Sequence, residues 1–590
     1  MKRLPAAIQK RTVDPPGKYA EARPASQAFV VETGLRVPMA DATELAAMLW
    51  RPKRQGRYPT LVERVPYPLE IRTRPAGEYY AARGFAVIGV SLRGRGGSEG
   101  TFSGPMPGTP SGDGYATIEW VAQQAWCNGR IGMICGSYSG FTQYQTAIEA
   151  PPHLDALLVR EGLYDAYWYP GGAAIPALIG LAAAMTKQDL QHYPPAKRTR
   201  ARRFLSHLNK LTEEAEDPDS RVVAPDAAQL RLPFAPNARA VGVADYYNEW
   251  LSHPVRSTWW NPALLSRQAH EVRVPICHLG GWFDALLPHA LAAYTSMRQR
   301  ARDPKVRAAQ RLIVGPWVHG PMQTTGDPIG PFKFGPEGRL DFNAFRLRWY
   351  DHHLKGRATG LSRDPRVWLY VNGADRWIGC ADWPPPESTP TPWYMRTTGA
   401  LSRAAPQGAE APDAYEYDPM NPVPSLRGSV AMGLAVDQRP IEERLTTYTT
   451  PRLKDALALV GPVQLRLHAA SSAPDTDWVA KLTWVRPNGA SVVISGGILR
   501  ARYRRSLSRP QLLETDKPEL FEIEMTATAT VIPAGHRLRL TLTSSDFPTF
   551  DRNLNTGGPI GHERHWQTAI NLLFHDRLRP SHILLPVFGE

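Results

Sequence analysis

Cysteine is scarce in this sequence. The 590 residues include four cysteines, Cys127, Cys135, Cys277 and Cys380, and no two of them form a CxxC pair. A disulfide framework and a zinc site of the usual cysteine spacing are therefore not indicated. We expect reduced, buried thiols, which suits a cytoplasmic protein.

Long apolar runs are also missing. The sequence has no stretch of about 18 apolar residues, the length that a membrane-spanning helix needs. The start, MKRLPAAIQKRTVDPP, is positively charged but has no apolar segment of the secretory type. The apolar stretch 173–185 is too short to span a bilayer and is interpreted as a buried helix. We expect no membrane partner.

Nucleic-acid-binding motifs are missing as well, although the net charge is +14. The basic residues are mostly scattered arginines, with local clusters at 196–204 and 499–506. Without zinc-finger spacing or an RNP-like motif, these clusters are better explained as solvated faces or arginine–carboxylate contacts. We therefore expect no nucleic-acid partner.

What the sequence does contain is typical of a large folded protein. Hydrophobic residues make up 43% and charged residues 21% of a chain long enough for two to four domains. Short apolar runs alternate with helix-like stretches such as 114–126 and 287–300 in the first 320 residues. The runs are 85–90, 131–134, 154–159, 274–279 and 311–314. Unbroken apolar runs of this length predict a parallel α/β sheet buried on both faces.

Two changes of character divide the chain. Residues 161–267 have no strand-like runs and predict a helical insertion, or cap, within the α/β domain. From residue 366 onward, alternating and β-branched segments separated by turns predict an all-β sandwich or jelly roll. The predicted domains are a first α/β part (1–160), a helical cap (161–267), a second α/β part (268–365) and a jelly roll (366–590).

The ends of the predicted strands carry three residues of catalytic type. Ser137, Asp284 and His319 each follow a different apolar run, in the chain order of an α/β-hydrolase triad. A serine becomes nucleophilic when a histidine takes its proton, and a carboxylate holds that histidine's tautomer and stabilises its imidazolium form. Taken singly, Asp284 could be a helix N-cap and His319 an ordinary loop residue. Together they predict a triad.

The segment around Ser137 departs from the G-x-S-x-G pattern of a nucleophile elbow. Cys135 stands two residues before the serine, Ser139 stands two residues after it, and the glycine follows at Gly140. A cysteine is small enough for a tight turn, and no histidine is paired with Cys135 by pattern. We therefore prefer Ser137 as the nucleophile.

Four other histidines compete with His319. His278 lies inside a strand run, His289 on the helix that follows Asp284, and His352 and His353 in a helix-like stretch. None of them follows a strand as His319 does. We therefore expect His319 to be the catalytic base.

An oxyanion needs hydrogen-bond donors that are positioned in advance. The backbone N–H of Tyr138, directly after the nucleophile, is the first candidate. The hydroxyl of Tyr67, which follows a strand and a proline, is the second, although a packed aromatic is the alternative.

These motifs resemble the CocE/NonD hydrolases, the group that includes cocaine esterase, α-amino-acid ester hydrolases and X-Pro dipeptidyl-peptidases. RVPY resembles the family's oxyanion tyrosine segment, GGWFDA and VGPWVHG its acid and histidine segments, and DTDWVAKLTWVRPNG its C-terminal jelly roll. Members have Ser-Tyr-x-Gly at the elbow, as here. Ser91 and Cys135 stand where the family usually has aspartate and glycine. The resemblance and the large β-domain suggest a homo-oligomer.

The predicted activity is hydrolysis of a small-molecule carboxylic ester through an acyl-enzyme, without a metal or cofactor. From their positions, Trp168, Tyr169, Trp282 and Phe283 are predicted to shape the acyl pocket, with packing in the core as the alternative. Other family members act on Pro-containing peptides, α-amino-acid esters or β-lactam side chains.

An X-Pro dipeptidyl-peptidase, α-amino-acid ester hydrolase or β-lactam acylase is therefore the second interpretation of the activity. The first two of these need carboxylates for the substrate's ammonium group, and Asp165, Asp189 and Glu249 of the cap are candidates. A non-catalytic binding protein on the same fold is a third interpretation.

Overall fold

The computed structural model describes residues 4–16, 24–104, 112–167, 169–175, 178–213, 241–320, 329–426 and 435–589. Two large sheets organise these residues, one of ten strands and one of eleven. The described helices are α1 (Ala6–Arg11), α2 (Leu69–Arg72), α3 (Arg74–Ala81), α4 (Asp113–Ala122), α5 (Tyr138–Glu149), α6 (Leu178–Asp189), α7 (Pro195–Glu213), α8 (Asp245–Ser252), α9 (Leu287–Arg300), α10 (Pro304–Ala309) and α11 (Phe342–Lys355).

The first sheet has the strand order β1-β2-β4-β3-β5-β6-β7-β8-β9-β10. Its strands are β1 (Phe29–Pro38), β2 (Glu44–Pro52), β3 (Tyr58–Val65), β4 (Ala86–Ser91), β5 (Cys127–Met133), β6 (Leu154–Arg160), β7 (Ile276–Gly281), β8 (Arg311–Gly315), β9 (Val367–Val371) and β10 (Arg376–Cys380). Strands β3 to β9 are parallel to one another. The carboxyl ends of β5, β6, β7 and β8 therefore meet at one edge.

The predicted apolar runs correspond to the central strands of this sheet. Every residue of β4 and β7 is buried, because helices cover both faces and leave no position that water can reach. The sheet and the helices between its strands confirm the predicted α/β class.

The cap lies between β6 and β7, and its described part contains α6, α7 and α8. Its own small core includes Tyr169, Trp250 and Trp260. None of the described helices is both long enough and apolar enough to cross a membrane.

The second sheet forms the C-terminal β-domain, with the strand order β13-β20-β15-β21-β11-β12-β14-β19-β16-β17 and β18 paired to β15. Its strands are β11 (Ser388–Arg396), β12 (Ala400–Ser402), β13 (Asp413–Tyr417), β14 (Thr446–Thr449), β15 (Leu457–Ser471), β16 (Asp477–Val485), β17 (Ser491–Arg500), β18 (Glu519–Ile532), β19 (Arg537–Thr543), β20 (Ala569–Phe574) and β21 (His582–Phe588).

The predicted start of the β-domain at residue 366 needs correction. Strand β9 pairs with β8, and β10 pairs with β9, so both belong to the first sheet. The first strand of the second sheet is β11. The physical reason is that strand pairing is non-local, and the sequence of β9 does not indicate which sheet it joins.

One continuous hydrophobic core joins the two sheets. Phe332 stacks against Phe334 and lies beside Trp484 of β16. The backbone of Asn372, just after β9, exchanges hydrogen bonds with Ala529 and Val531 of β18 at 2.9 and 2.8 Å. The β-domain therefore packs firmly against the α/β domain.

Candidate active site

A strained turn joins β5 to α5 and presents Ser137. This residue has φ 60° and ψ −129°, a conformation that costs a non-glycine residue about 1–3 kcal/mol and is characteristic of functional sites. Its N–H donates to the carbonyl oxygens of Arg160 and Glu161, at 3.0 Å each. These bonds to the end of β6 hold the turn in place.

Glycines at two positions allow this turn to pack closely. A Cβ on Gly136 would lie 2.2 Å from the Arg160 carbonyl oxygen. A Cβ on Gly140 would lie 2.4 Å from the Cα of Gly162. Gly140, three residues after the serine, is therefore required because the first turn of α5 packs directly on the chain that leaves β6.

Cys135 takes the position that is usually glycine, and it has φ 106°. Burial raises the pKa of its thiol, and the nearby Glu63 raises it further, while Arg72 acts in the opposite direction. A buried thiol with a raised pKa is a poor nucleophile. Cys135 is therefore a small side chain within the turn. All four cysteines are buried and unpaired.

The structure brings Ser137, His319 and Asp284 together. His319 Nε2 lies 3.0 Å from Ser137 Oγ, and His319 Nδ1 lies 3.1 and 3.2 Å from the two carboxylate oxygens of Asp284. Because carboxylate oxygens only accept, the proton belongs on Nδ1 and Nε2 is the acceptor for the serine hydroxyl. The Leu286 N–H donates to Asp284 Oδ1 at 2.8 Å and orients this fully buried carboxylate.

The pKa of His319 is raised above its ordinary value. Burial of the ring acts to lower it, but the hydrogen bond and charge of Asp284, together with Glu161, outweigh burial. An imidazole with this environment accepts a proton readily.

Glu161 is a site residue that the sequence interpretation missed. It directly follows β6, is 1% exposed, and places Oε2 3.5 Å from His319 Nδ1. The sequence carries a signal for it, because the run 154–159 is followed directly by Arg160 and Glu161, as the triad residues follow their own runs.

Tyr67 and Tyr138 flank the nucleophile. Tyr138 is the first residue of α5, so its N–H stands at the positive end of that helix beside Ser137. The Tyr67 hydroxyl lies within hydrogen-bonding reach of Ser137, and burial raises the pKa of Tyr67 so that the hydroxyl keeps its proton. Both groups can donate to an oxygen that forms next to Ser137.

Arg95 supports the Tyr67 segment and links it to the cap. Its Nε donates to the carbonyl oxygen of Pro66 at 2.8 Å, and its guanidinium pairs with Asp189 of α6. It also donates to the Met185 carbonyl oxygen at 3.1 Å. This contact with the cap depends on tertiary structure.

The apolar wall beside the two tyrosines comes from residues that the sequence analysis did not select. Leu92, Tyr138 and Met185 form a small cluster, against which Tyr67, Phe102 and Leu181 pack. Leu181 and Met185 belong to α6, so the cap contributes apolar side chains beside the two tyrosines.

Three of the four aromatic residues predicted to shape the acyl pocket are buried in the structure. Tyr169 is buried in the cap core, where its hydroxyl donates to the Trp250 carbonyl oxygen at 2.8 Å. Trp282 donates to the Tyr370 carbonyl oxygen at 2.7 Å, and Phe283 packs against Phe332. Packing in a core, the alternative given from the sequence, therefore describes these three residues. Trp168 lies outside the described residues.

The three cap carboxylates are placed differently. Asp165 accepts hydrogen bonds from the Ser266 N–H and hydroxyl at 2.8 and 2.6 Å. Asp189 is paired with Arg95, whereas Glu249 is exposed on α8. Asp165 and Asp189 are thus already occupied by other parts of the chain.

The competing histidines do not contact Ser137. His278 lies in the core between Tyr144 and Gln310, and burial lowers its pKa to about 3. Burial also lowers the pKa of His289, and it lowers that of His353 to about 3. His352 lies beside His353 on α11.

Glu161, Asp284 and His319 are also the group of described residues that could hold a metal ion. However, His319 would offer Nδ1, the atom that faces the Asp284 carboxylate. A metal there would replace the proton on which the histidine–carboxylate contact depends, so the arrangement is better suited to proton transfer.

Family models match both sheets. The X-Pro dipeptidyl-peptidase (S15 family) model matches residues 41–321, and the X-Pro dipeptidyl-peptidase C-terminal non-catalytic domain matches residues 359–584. A cocaine esterase of Rhodococcus sp. (strain MB1 Bresler) is 33% identical over 588 residues, which covers 95% of this chain and 99% of that protein.

Solved structures share the complete fold. An α-amino acid ester hydrolase has a TM-score of 0.77 at 23% identity, covering 96% of this chain and 98% of that one. An aminopeptidase from a marine sediment Thaumarchaeota archaeon has a TM-score of 0.76 at 23% identity, covering 98% of this chain and 100% of that one. Both α/β and β domains are therefore arranged as in these proteins.

Proposed function

We propose a carboxylic ester hydrolase reaction for this chain, which belongs to the CocE/NonD family of serine hydrolases. The observation that supports it most directly is the 3.0 Å contact between His319 Nε2 and Ser137 Oγ, with Asp284 behind the imidazole. No step in the proposed reaction uses a metal or cofactor.

In the first half of the reaction, Ser137 Oγ attacks the ester carbonyl carbon while His319 Nε2 takes the hydroxyl proton. Asp284 holds the imidazole and stabilises its charge. The tetrahedral oxyanion accepts hydrogen bonds from the Tyr138 N–H and the Tyr67 hydroxyl. His319 then gives its proton to the leaving alcohol, and an acyl-Ser137 remains.

In the second half, a water molecule replaces the alcohol. His319 takes a proton from this water as it attacks the acyl carbon, and the same two donors stabilise the second oxyanion. Collapse of the intermediate releases the carboxylic acid and returns the proton to Ser137.

We favour an ester with an apolar or aryl acyl group and without an α-ammonium group. Phe102, Leu181 and Met185 provide apolar surface beside the tyrosines, whereas the cap carboxylates Asp165 and Asp189 are engaged in contacts within the chain. A substrate ammonium would have to compete with Arg95 for Asp189. The relative at 33% identity is named for an esterase activity.

The test compares initial rates of wild type and Ser137→Ala on p-nitrophenyl acetate and butyrate, an aryl benzoate, an α-amino-acid ester and a Gly-Pro arylamide. We expect turnover of the plain esters, and a loss of at least about 10³-fold in Ser137→Ala with an unchanged melting temperature.

Ser139→Ala is the matched control, since Ser139 is buried on α5, directly after Tyr138. It should retain turnover. Wild-type rates in Ser137→Ala would contradict the mechanism, preference for the amino-bearing substrates would favour the peptidase or acylase interpretation, and no turnover of any substrate would favour a binding protein.

We also propose a cytoplasmic location, which is supported by four buried cysteines that form no disulfide. Fractionation of the producing organism, followed by detection with an antibody, would test it.

A further inference from the structure

Glu161 occupies a strand end between those of the nucleophile and the acid. The sheet order is β5-β6-β7-β8, and β6 ends at Arg160, directly before Glu161. Ser137, Glu161, Asp284 and His319 therefore follow four adjacent strands. This topology places a second carboxyl group beside the triad without any contribution from the cap or the β-domain.

The backbone of Glu161 is held tightly at this point. The residue has φ 48°, a left-handed conformation that is uncommon for a non-glycine residue. Its N–H donates to the Leu279 carbonyl oxygen at 2.8 Å, and its own carbonyl oxygen accepts from the Ser137 N–H at 3.0 Å. The nucleophile turn and Glu161 thus position each other.

The side chain of Glu161 points at the histidine. Its Oε2 accepts from the Gly320 N–H at 3.2 Å and lies 3.5 Å from His319 Nδ1. Its Oε1 is buried without a hydrogen-bond partner among the residues that the structure describes. This oxygen is therefore free to accept a hydrogen bond, which an unpaired buried acceptor favours strongly.

We propose that Glu161 is a second acid for His319, a positioning residue that, when it is ionised, stabilises the imidazolium together with Asp284, and that takes over from Asp284 when the Asp284 charge is removed. This inference rests on the proposed hydrolase function. It goes beyond that function because it gives the triad two carboxyl groups on Nδ1.

The charges around Glu161 explain how it can act as a second acid. Burial and the negative charge of Asp284 raise the pKa of Glu161 to about 8, while Arg160 and His319 act in the opposite direction. At neutral pH Glu161 is therefore mostly protonated, and Asp284 carries the negative charge. Without the Asp284 charge, the pKa of Glu161 falls, so a larger fraction of Glu161 is ionised and faces Nδ1 as a carboxylate.

The first experiment measures the loss of activity in Asp284→Asn and in Asp284→Asn/Glu161→Gln at pH 7.5. Replacing the aspartate of a Ser-His-Asp triad by asparagine lowers kcat about 10⁴-fold in a serine protease. We expect a loss of only about 10²-fold in Asp284→Asn, and a further loss of about 10-fold or more when Glu161→Gln is added.

Asp155→Asn is the matched control, because Asp155 lies near the other end of β6 and contacts the Ile131 N–H at 2.8 Å. Added to Asp284→Asn, it should change the rate by less than about 2-fold. If Glu161→Gln adds no more than this control does, Glu161 is not a second acid.

The second experiment uses the pH profile of kcat/KM for wild type and Glu161→Gln from pH 6 to pH 9.5. Above pH 8, ionised Glu161 adds a second negative charge beside Nδ1, so we expect a further rise of about 2–5-fold in wild type that is missing in Glu161→Gln. Glu161→Asp, which keeps the carboxyl group, should restore part of it. Superimposable profiles would overturn the proposal.

Phosphonylation by a fluorophosphonate separates this inference from the proposed function. Ser137 Oγ attacks phosphorus, fluoride leaves, and His319 takes the serine proton, so the rate reports on the histidine without any natural substrate. Labelling that needs Ser137 but is insensitive to Glu161 in the Asp284→Asn background would leave the hydrolase proposal intact and reject the second acid. Absence of labelling at Ser137 would reject the hydrolase mechanism itself.

Discussion

Two clusters of charged groups differ in how completely their members are hydrogen-bonded. The β-domain cluster consists of Asp475, Asp477, Arg500, Arg502 and Asp551, all less than a tenth exposed. The strand-end cluster consists of Arg160, Glu161, Asp284 and His319. Both place several acids beside arginine or histidine, yet their hydrogen bonding is different.

The β-domain cluster is saturated, which means that both oxygens of each of its carboxylates accept hydrogen bonds. Arg500 donates to both oxygens of Asp477 at 2.8 and 2.9 Å and to both oxygens of Asp551 at 3.2 and 3.1 Å. Arg502 donates to Asp475 at 2.7 Å. Asp551 also accepts from the Ala174 N–H at 2.6 Å and so connects the cap segment to the β-domain. This matches the arginine–carboxylate contacts expected for residues 499–506.

The strand-end cluster is unsaturated. Among the described residues, Arg160 Nε and Glu161 Oε1 are buried without a hydrogen-bond partner. Unpaired groups in a low-dielectric interior cost stability but can respond to charge that develops nearby. The saturated cluster thus holds domains together, whereas the unsaturated cluster beside the nucleophile is suited to proton transfer.

The largest expected effect on stability lies in the saturated cluster. Arg500→Met would leave Asp477 and Asp551 buried without their cation, and breaking such a pair costs about 3–5 kcal/mol. Thermal and urea unfolding should show a clearly reduced stability.

Lys517→Met is the control for this variant, since Lys517 forms a pair with Glu514 in which both side chains are more than half exposed. Its stability should match that of wild type within error, because an exposed ion pair contributes little. Equal stabilities of the two variants would contradict the structural role of the saturated cluster.

The next effect concerns catalysis beside the unsaturated cluster. Tyr67→Phe removes one proposed oxyanion donor, so kcat should fall about 10²–10³-fold, equivalent to about 2.7–4 kcal/mol, while the melting temperature stays near that of wild type. Steady-state kinetics on the best ester substrate and a thermal melt measure both quantities.

Tyr115→Phe, a change at a residue that is 40% exposed on α4, serves as the kinetic control. It should leave kcat unchanged. A Tyr67→Phe enzyme with wild-type kcat would show that Tyr67 is a packed aromatic, the alternative considered from the sequence.

The smallest expected effect is a pH-dependent gain of stability in Glu161→Gln. The pKa of Glu161 is about 8 in the folded protein, above the ordinary value of 4.5. The wild type is therefore stabilised by this group below about pH 4.5, and it loses that contribution as the pH rises toward 8. Glutamine has no such dependence, so Glu161→Gln should gain about 1–3 kcal/mol relative to wild type between pH 5 and pH 9.

Urea unfolding at pH 5, 7 and 9 measures this difference. A stability difference between wild type and Glu161→Gln that is independent of pH would mean that Glu161 is ionised throughout, and the contrast between the two clusters would fail.

Much of the fold followed from local patterns. Strands buried on both faces must be apolar at nearly every position, so the runs 85–90 and 154–159 predict β4 and β6. The alternation of apolar and polar residues in 521–532 likewise predicts β18. Ser137, Asp284 and His319 are predicted as a triad because each follows such a run. In the structure His319 lies 3.0 Å from Ser137 Oγ and 3.1 and 3.2 Å from the carboxylate oxygens of Asp284.

Other features depended on contacts between distant parts of the chain. Strands β9 and β10 belong to the first sheet because β9 pairs with β8, and strand pairing of this kind is not encoded in the strand's own pattern. Tyr169, Trp282 and Phe283 are packed in cores. Their sequence positions did not indicate this, because an aromatic residue that lines a cleft and one that is buried in a core give the same local pattern.

Local sequence patterns are enough to predict the elements, their order and the residue types at the strand ends, because burial and tight turns restrict which residues each position can hold. Which strand ends are neighbours depends on how the strands pair in the folded chain. The tertiary structure placed Glu161 beside His319 because β6 lies between β5 and β7. It also placed Arg95 between the Tyr67 segment and the cap.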